Sequence, residues 1–551
     1  MAISFRIYLF ILLSAITIMN AQPDSRFRPF DWVLYRGAGS ITSITEGYSY
    51  AYVGTATGGI HRFSLFGNDF SEPVTVAQGL KNNAVTAVHF DHQTGIIWTA
   101  TPDHIQYSYT REGDWRSIPL LETGLSRFDR IQRIGSSKNY IWLQGKSIYV
   151  KLDHSSGIVA GIFPFPDEIK IQWSSGPYGD DRSLEEILMN YSIMSGWMLT
   201  GDHLIDPLGR TVDIITGLAG RHGDVWIGCS DGTLLQGKSV SEIFYPISTG
   251  SFGVDVGGMT LTDEFLWLGG LDYVSGKGVS WLNLYSGESY TFEFDAVVNM
   301  SPTPIYSIWH SDQTIWAGGH KLALVYDKGD NYWRTLGVER GVPDGKVWDI
   351  VGDSSHVWMA SSNGIRRLNQ DSWREEPLGF EYLFQGIPVY DLDQTDGTVW
   401  IGSRSGLFIF NQVQPQLRNA SELGRKEFAG TMYGVRAVKE FEGSIYACCD
   451  LGIVKFDLSE MVWELLFPAA YYHSKIVHAM AVNRKHIFLG TEEGLVRINK
   501  KTGFIREYFF PFIGQVNKLE LKNNIIWMGT TNGLLKFKWT NSVLFVVVRM
   551  D

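Results

Sequence analysis

Apolar and polar positions alternate in short runs along almost the whole chain, which predicts strands of four to six residues and almost no amphipathic helix. One phrase recurs: two apolar residues around an aromatic, a small residue, a short polar turn, then glycine and a second apolar run. It stands as Ala51-Tyr52-Val53-Gly54, Ile97-Trp98-Thr99-Ala100, Ile141-Trp142-Leu143, Val225-Trp226-Ile227-Gly228 and Leu266-Trp267-Leu268-Gly269. It continues as Ile315-Trp316-Ala317-Gly318, Val357-Trp358-Met359-Ala360, Val399-Trp400-Ile401-Gly402, Ile445-Tyr446-Ala447, Ile487-Phe488-Leu489-Gly490 and Ile526-Trp527-Met528-Gly529. A weaker copy, Gly196-Trp197-Met198-Leu199, fills the gap between Trp142 and Trp226. Six residues after the aromatic, seven of the twelve copies place a glycine: Gly58, Gly232, Gly364, Gly406, Gly452, Gly494 and Gly533. That register predicts a turn ending in a positive φ, which glycine reaches without a Cβ clash.

A further strand pattern precedes each aromatic strand, as in Val347-Trp348-Asp349-Ile350-Val351 and Val389-Tyr390-Asp391-Leu392. A fourth strand follows, often with a tryptophan: Trp115, Trp333, Trp373 or Trp463. Four short antiparallel strands per unit make one blade of a β-propeller. Apart from a 55/29 pair around the weak copy, successive aromatics lie 39 to 49 residues apart, the spacing of blades. Twelve units exceed the usual four to eight of one ring. The expected fold is therefore all-β, two tandem β-propellers of about six to seven four-stranded blades each. The first is expected over 22–295 and the second over 296–551, divided near the segment Ser301-Pro302-Thr303-Pro304. Trp32-Val33-Leu34-Tyr35 reads as a fourth strand without its first three, placed to close an edge.

Residues 1–21 read as an export signal: Arg6, then the apolar run Ile7 to Ile18, then the small Ala21 at the cut. The run is too short to span a bilayer, so an exported, periplasmic or extracellular chain with no membrane span after cleavage is expected. Cys229, Cys448 and Cys449 make neither a disulfide framework nor a zinc pattern and read as buried thiols. Aromatics at 14% exclude a disordered linker protein, and a net charge of −11 argues against a nucleic-acid partner.

Val399-Trp400-Ile401-Gly402-Ser403-Arg404-Ser405-Gly406-Leu407-Phe408-Ile409-Phe410 resembles the two-component-regulator propeller repeat, as do the stretches 357–368 and 526–537. The resemblance extends over nearly the whole mature chain. It implies paired propellers of the kind that form the exported, glycan-recognising sensor half of hybrid histidine kinases, and that also occur in an accessory component of the type IX secretion system. This chain departs from the first pattern in having only 14 residues after Phe537, with no kinase or regulator segment among them, and it lacks the sorting domain usual in the second. The resemblance thus implies a separate membrane sensor or secretion component as partner.

Candidate chemistry is sparse. Asp391-Leu392-Asp393-Gln394-Thr395-Asp396-Gly397 departs from calcium-loop spacing and reads as a turn. Asp327 to Trp333 resembles a sialidase Asp-box with the tryptophan one place late. Tyr471-Tyr472-His473-Ser474 and His478 offer a loop between blades, and Asn190, Asn299 and Asn419 are glycosylation acceptors in a eukaryotic host. The stretch 174–188 breaks the repeat. Ser183 and Glu186 there have capping-box spacing, and Tyr178, Asp180, Asp181 and Arg182 have the chemistry of a polar contact to a sugar. These four are the candidate binding residues; no catalytic residue, metal ligand or cofactor is predicted. The expected function is a non-catalytic binding module for a glycan or protein ligand. The alternatives are a propeller-based lyase or glycosidase, which would need carboxylates converging in one channel, and an envelope scaffold of a secretion or surface-assembly machine.

Overall fold

In every copy but the one at Trp197 the aromatic strand is paired on both sides. Trp400, for example, lies between Asp393 and Ile409. A computed structural model describes residues 27–539 apart from 127, 178–181, 201–202, 250–252, 254 and 272–277; the export signal lies outside the described residues. Among the described residues nearly every regular element is a strand, arranged as four-stranded antiparallel sheets with a few longer ones, which is the expected propeller architecture. Trp226 and Trp358 are fully buried, Trp400 is 2% exposed and Trp527 5%, so the aromatic strand forms the core between sheets. Around Trp358, for example, pack Val399, Ile401, Phe410 and Phe384.

The glycine turn follows a common chemistry. Ser403 Oγ donates to the Gly406 carbonyl at 2.8 Å, and Ser361, Thr491 and Thr530 do the same to Gly364, Gly494 and Gly533. Cys449 takes this hydroxyl position, its Sγ 3.4 Å from the Gly452 carbonyl, and Cys229 stands at the same step after its tryptophan. All three cysteines are free and buried; burial raises each thiol, Cys448 to about 12. Six of the seven register glycines have positive φ; at Gly58 the left-handed residue is its neighbour Gly59.

The chain divides into two units, one reaching Gly250 and one spanning Ser251–Thr540. The division falls at 250–251 rather than near 295, because the sheet over 258–293 packs its first strand against those of the sheets that begin at Ser307 and Val516. Among the described residues the second unit holds seven sheets, over 258–293, 307–337, 347–375, 389–419, 437–468 with Arg425–Lys426 added, 477–508 and 516–538. Their first strands follow one another round a closed ring.

The first unit holds four sheets among the described residues, not six. Three match the repeat, and the fourth is an eight-stranded sheet built on Thr211–Ala219, Asp224–Cys229, Thr233–Lys238 and Ile243–Ser248. The weak copy at Trp197 is no blade: Met198–Thr200 and His203–Ile205 form a hairpin on the edge of that sheet. A lone segment, 172–177, takes the next place in the inner ring. Gln172–Trp173 pairs with Gly135 and Ser136, and Gly176–Pro177 with Gly217 and Thr216. Between them Ser175 exchanges both backbone-directed bonds with Ile44.

Inner strands are stitched by side chains as well as by packing. Ser43 Oγ accepts from Val88 N at 3.1 Å and Thr45 Oγ1 from Phe90 N at 3.1 Å. Each such bond satisfies a backbone donor that the inner edge of a sheet would otherwise leave open.

Candidate functional site

The seven first strands of the second unit surround its axis, and register aligns their side chains into tiers. Residues paired with the position two after the conserved aromatic are Gly258, Ser307, Asp349, Asp391, Ala437, Ala479 and Lys518. Two residues on, on the same face of each strand, stand Thr260, Trp309, Val351, Asp393, Lys439, Ala481 and Glu520. Charge is thus concentrated in six groups, Asp349, Asp391, Asp393, Lys439, Lys518 and Glu520, all only part-exposed.

Two of these carboxylates also stitch blades: Asp349 Oδ2 accepts from Leu392 N at 2.9 Å and Asp391 Oδ2 from Val438 N at 2.7 Å. Asp393 likewise accepts from Glu440 N. Lys518 reaches across the axis to a strand that is not its neighbour in the ring, donating to Asp349 Oδ1 and to the Trp348 carbonyl, each at 3.0 Å. Burial pushes Asp391 up to about 8, Lys439 opposing and Asp349 adding to the shift, and pushes Glu520 up to about 7 against the two lysines. Burial raises Asp393 as well. Asp349 is held below the usual range: burial would raise it, but Lys518 and Lys439 outweigh that. Lys439 is raised despite burial because Asp391, Asp393, Asp349 and Glu520 surround it. At neutral pH the lining is therefore a mixture of neutral acid, carboxylate and ammonium groups. Among the described residues no group of three or more His, Cys, Asp or Glu is placed to hold a metal ion.

One residue before the first tier stand Tyr306, Trp348, Tyr390, Arg436, His478 and Asn517, all part-exposed. At Trp348, Tyr390, His478 and Asn517 the strand register shifts, a β-bulge that re-aims the side chain. Three of these residues pile across three successive blades: the Trp348 and Tyr390 rings stack at 5.4 Å and 19°, and Arg436 Cζ lies 4.9 Å from the Tyr390 centroid. Burial lowers His478, with Glu492 opposing and the Arg436 charge adding to the shift.

The sequence candidates fare differently. Tyr178, Asp180 and Asp181 lie outside the described residues, and Arg182 opens a helix, Arg182–Asn190. Asp396-Gly397 is a turn, as expected, with φ of 48° and 73°, but Asp391 and Asp393 belong to the strand Val389–Thr395. Asp327 Oδ1 caps its own turn, accepting from Gly329 and Asp330 N. His473 is exposed, 3.4 Å from Glu507, and Tyr472 is buried with its hydroxyl 3.5 Å from Cys448 Sγ.

A Ser–His–Asp grouping in the first unit is structural. His154 Nδ1 lies 2.7 Å from Asp91 Oδ2 and Nε2 lies 3.1 Å from the Ser137 carbonyl. Both partners only accept, so both ring nitrogens carry hydrogen and the imidazolium form is favoured. Burial would lower His154, but the Asp91 bond and charge raise it; Asp91 itself is held at about 2, its bonds to His154 and Thr94 overcoming burial. A raised histidine contributes stability that is complete below its unfolded pKa and is lost as pH rises through the folded one. His154→Gln should therefore flatten the decline of melting temperature as pH rises above about 6.5, the ordinary histidine pKa. An unchanged slope would mean that this pair is not charged in the native state.

No known family profile matches the chain, and no curated protein matches it. Among solved structures, the extracellular domain of a proposed hybrid two-component system from B. thetaiotaomicron is similar at 14% identity and a TM-score of 0.42, covering 90% of this chain and 70% of that one. PorZ, a surface component of the type-IX secretion system of Porphyromonas gingivalis, is similar at 12% and 0.36, covering 92% and 87%. Virginiamycin B lyase from Staphylococcus aureus is similar at 15% and 0.40, covering 51% and 94%. These likenesses concern shape alone. No helix among the described residues is long and apolar enough to cross a membrane.

Proposed function

We propose that this chain is an exported binding module of the two-component-regulator propeller type, that its second ring takes a carbohydrate at the mouth of the axial channel, and that a separate membrane or surface component reads the bound state. The observation that carries the reading is the pile of Trp348, Tyr390 and Arg436 on aligned bulge or pre-strand positions. Flat, part-exposed aromatics beside hydrogen-bonding groups give sugar rings an apolar face and polar edges to meet. The rigid blades hold this surface in place before the ligand arrives, so little ordering entropy opposes binding.

Residues 22–551, screened on a glycan array and followed by titration calorimetry, should bind at least one oligosaccharide class. Trp348→Ala should weaken that binding by about tenfold or more, the loss of roughly 1.4 kcal/mol or more common for a central aromatic contact. Its melting temperature should stay close to that of the parent. A silent array, or a Trp348→Ala protein that binds as the parent does, would remove the basis for this reading.

A catalytic reading draws on one specific observation, the two carboxyl groups at Asp391 and Glu520 held near neutrality in the channel. Incubation of the bound oligosaccharide with the protein distinguishes the two: new reducing or unsaturated ends, abolished by Asp391→Asn, would promote the enzyme.

A further inference from the structure

Arg334 and Arg497, like Arg436, are part-buried arginines of the second unit that lie over aromatic rings, but Arg436 alone among the three stands at the head of a first strand, at the channel mouth. Arg366 and Arg367 face Glu375 and Glu376, so their charge is matched within the protein. No carboxylate among the described residues pairs with Arg436; its guanidinium lies instead against the face of Tyr390. A guanidinium held against an aromatic ring spends none of its N–H donors on that contact, which leaves them for a carboxylate.

A second cation adjoins it. Arg404 sits in the exposed turn after Trp400, its backbone bonded to Pro388 and Gly434, two residues before Arg436. Its side chain also has no acidic partner among the described residues. Neither guanidinium has an ion-pair partner among the described residues, so the positive charge of both is left for a ligand to meet. Exposed acids in the turns near Arg436 include Asp450, Glu492, Glu493 and Asp344; Glu493 pairs with Lys475 and Asp344 with Lys321, and none forms an ion pair with Arg436 among the described residues. Deeper in the channel, the carboxylates are matched by Lys439 and Lys518 or hold a proton near neutrality.

Resting on the carbohydrate reading above, we infer that the ligand is an acidic sugar, a uronic-acid-bearing oligosaccharide whose carboxylate sits in the fork of Arg436 with Arg404 beside it while a neighbouring ring lies against Trp348. The geometry selects a carboxylate over a neutral hydroxyl because the guanidinium edge offers paired parallel donors, and it places the charged sugar next to an aromatic face rather than in bulk water.

The test uses the mature protein and three probe sets: galacturonate, glucuronate and mannuronate tetramers, the same tetramers fully methyl-esterified, and neutral glucose and galactose tetramers. At least one acid tetramer should bind, and its ester should bind about tenfold or more weakly, in keeping with the strength of charge-assisted bidentate bonds. Arg436→Gln should lose the same factor toward the acid and much less toward the ester, so that the preference for acid over ester collapses; Arg436→Lys should recover part of it, and affinity for the acid should fall with salt. Arg404→Gln, on an exposed turn, gives a smaller loss and serves if Arg436→Gln melts early. Equal binding of acid and ester, binding of neutral tetramers alone, or an Arg436→Gln protein with intact acid affinity would overturn the acidic-sugar inference while leaving the carbohydrate reading in place. Binding of none of the three sets overturns both.

Discussion

Lys439→Met should destabilise the second unit by about 3 kcal/mol at pH 8 and by much less at pH 5, a magnitude at the low end for breaking a buried ion pair because the channel groups keep some exposure. Lys439 is the ammonium toward which Asp391, Asp393, Asp349 and Glu520 all act. Without it, Lys518 remains, and that side chain is already engaged with Asp349 and the Trp348 carbonyl. The pH dependence follows from the acids. Asp391 at about 8 and Glu520 at about 7 titrate above their unfolded values, so the native state binds more protons than the unfolded chain. Their contribution is complete below about pH 4, the ordinary carboxylate range, and is lost as pH rises through 7 and 8. Removing the ammonium pushes both native values higher still, so the gap between variant and parent must widen with pH. Asp391→Asn should act the other way, flattening the parent's decline over the same interval. The check is a series of denaturant midpoints for the second unit at pH 5, 6, 7 and 8. A gap that stays constant would show that Lys439 acts by packing its methylenes and not by its charge.

How far the sequence reveals this arrangement depends on whether the information is local. The aromatic strand and its glycine turn are local: six or seven consecutive residues carry them, and Trp226, Trp358, Trp400 and Trp527 are buried as the repeat predicts. The positions of Cys229 and Cys449 become intelligible in the same way, as stand-ins for the serine or threonine that closes the turn. The irregular fourth sheet of the first unit is not local. Its added strands, such as Ser192–Ile193 and Met198–Thr200, have two or three residues each, too few to show alternation, and segment 172–177 enters the ring by pairing with strands far from it in the chain. The charged tiers are the instructive omission. Asp349, Asp391, Lys439 and Glu520 each look like a solvated residue in a short strand, and only ring closure brings Lys518 to Asp349, 169 residues away. A signal was present nonetheless: Val347-Trp348-Asp349 and Val389-Tyr390-Asp391 repeat an aromatic–acid pair at the blade spacing of 42 residues. Aligning first strands rather than aromatic strands would have put both pairs in one ring. Tyr178, Asp180, Asp181 and Arg182 stand out in the sequence because they interrupt the repeat, whereas the groups that line the channel are held within it.

Gly452→Val should cost the second unit about 3 kcal/mol or more, the upper range for a residue forced into a conformation its side chain disfavours, with a backbone collision added. Gly452 has φ of 132°, and a Cβ there would lie 2.1 Å from the Phe467 carbonyl oxygen and 2.6 Å from Ala469 N. Both are backbone atoms of the adjoining strand and the turn after it, so relief requires the hairpin to part from its neighbour, exposing the cluster around Ile453, Phe467 and Tyr472. Two comparisons separate conformation from collision. At Gly406 φ is 134° but the nearest contact, the Met432 carbonyl, is 3.0 Å away, so Gly406→Val should cost less than Gly452→Val. At Gly443 φ is 73° and nothing lies within 4 Å, so Gly443→Ala should cost only the backbone penalty, about 1 kcal/mol. Denaturant midpoints should therefore fall in the order Gly452, Gly406, Gly443, largest loss first. Equal losses at all three would mean that φ alone governs these turns and that the adjoining strand yields freely, which would contradict a blade whose paired outer strands are held in close backbone contact.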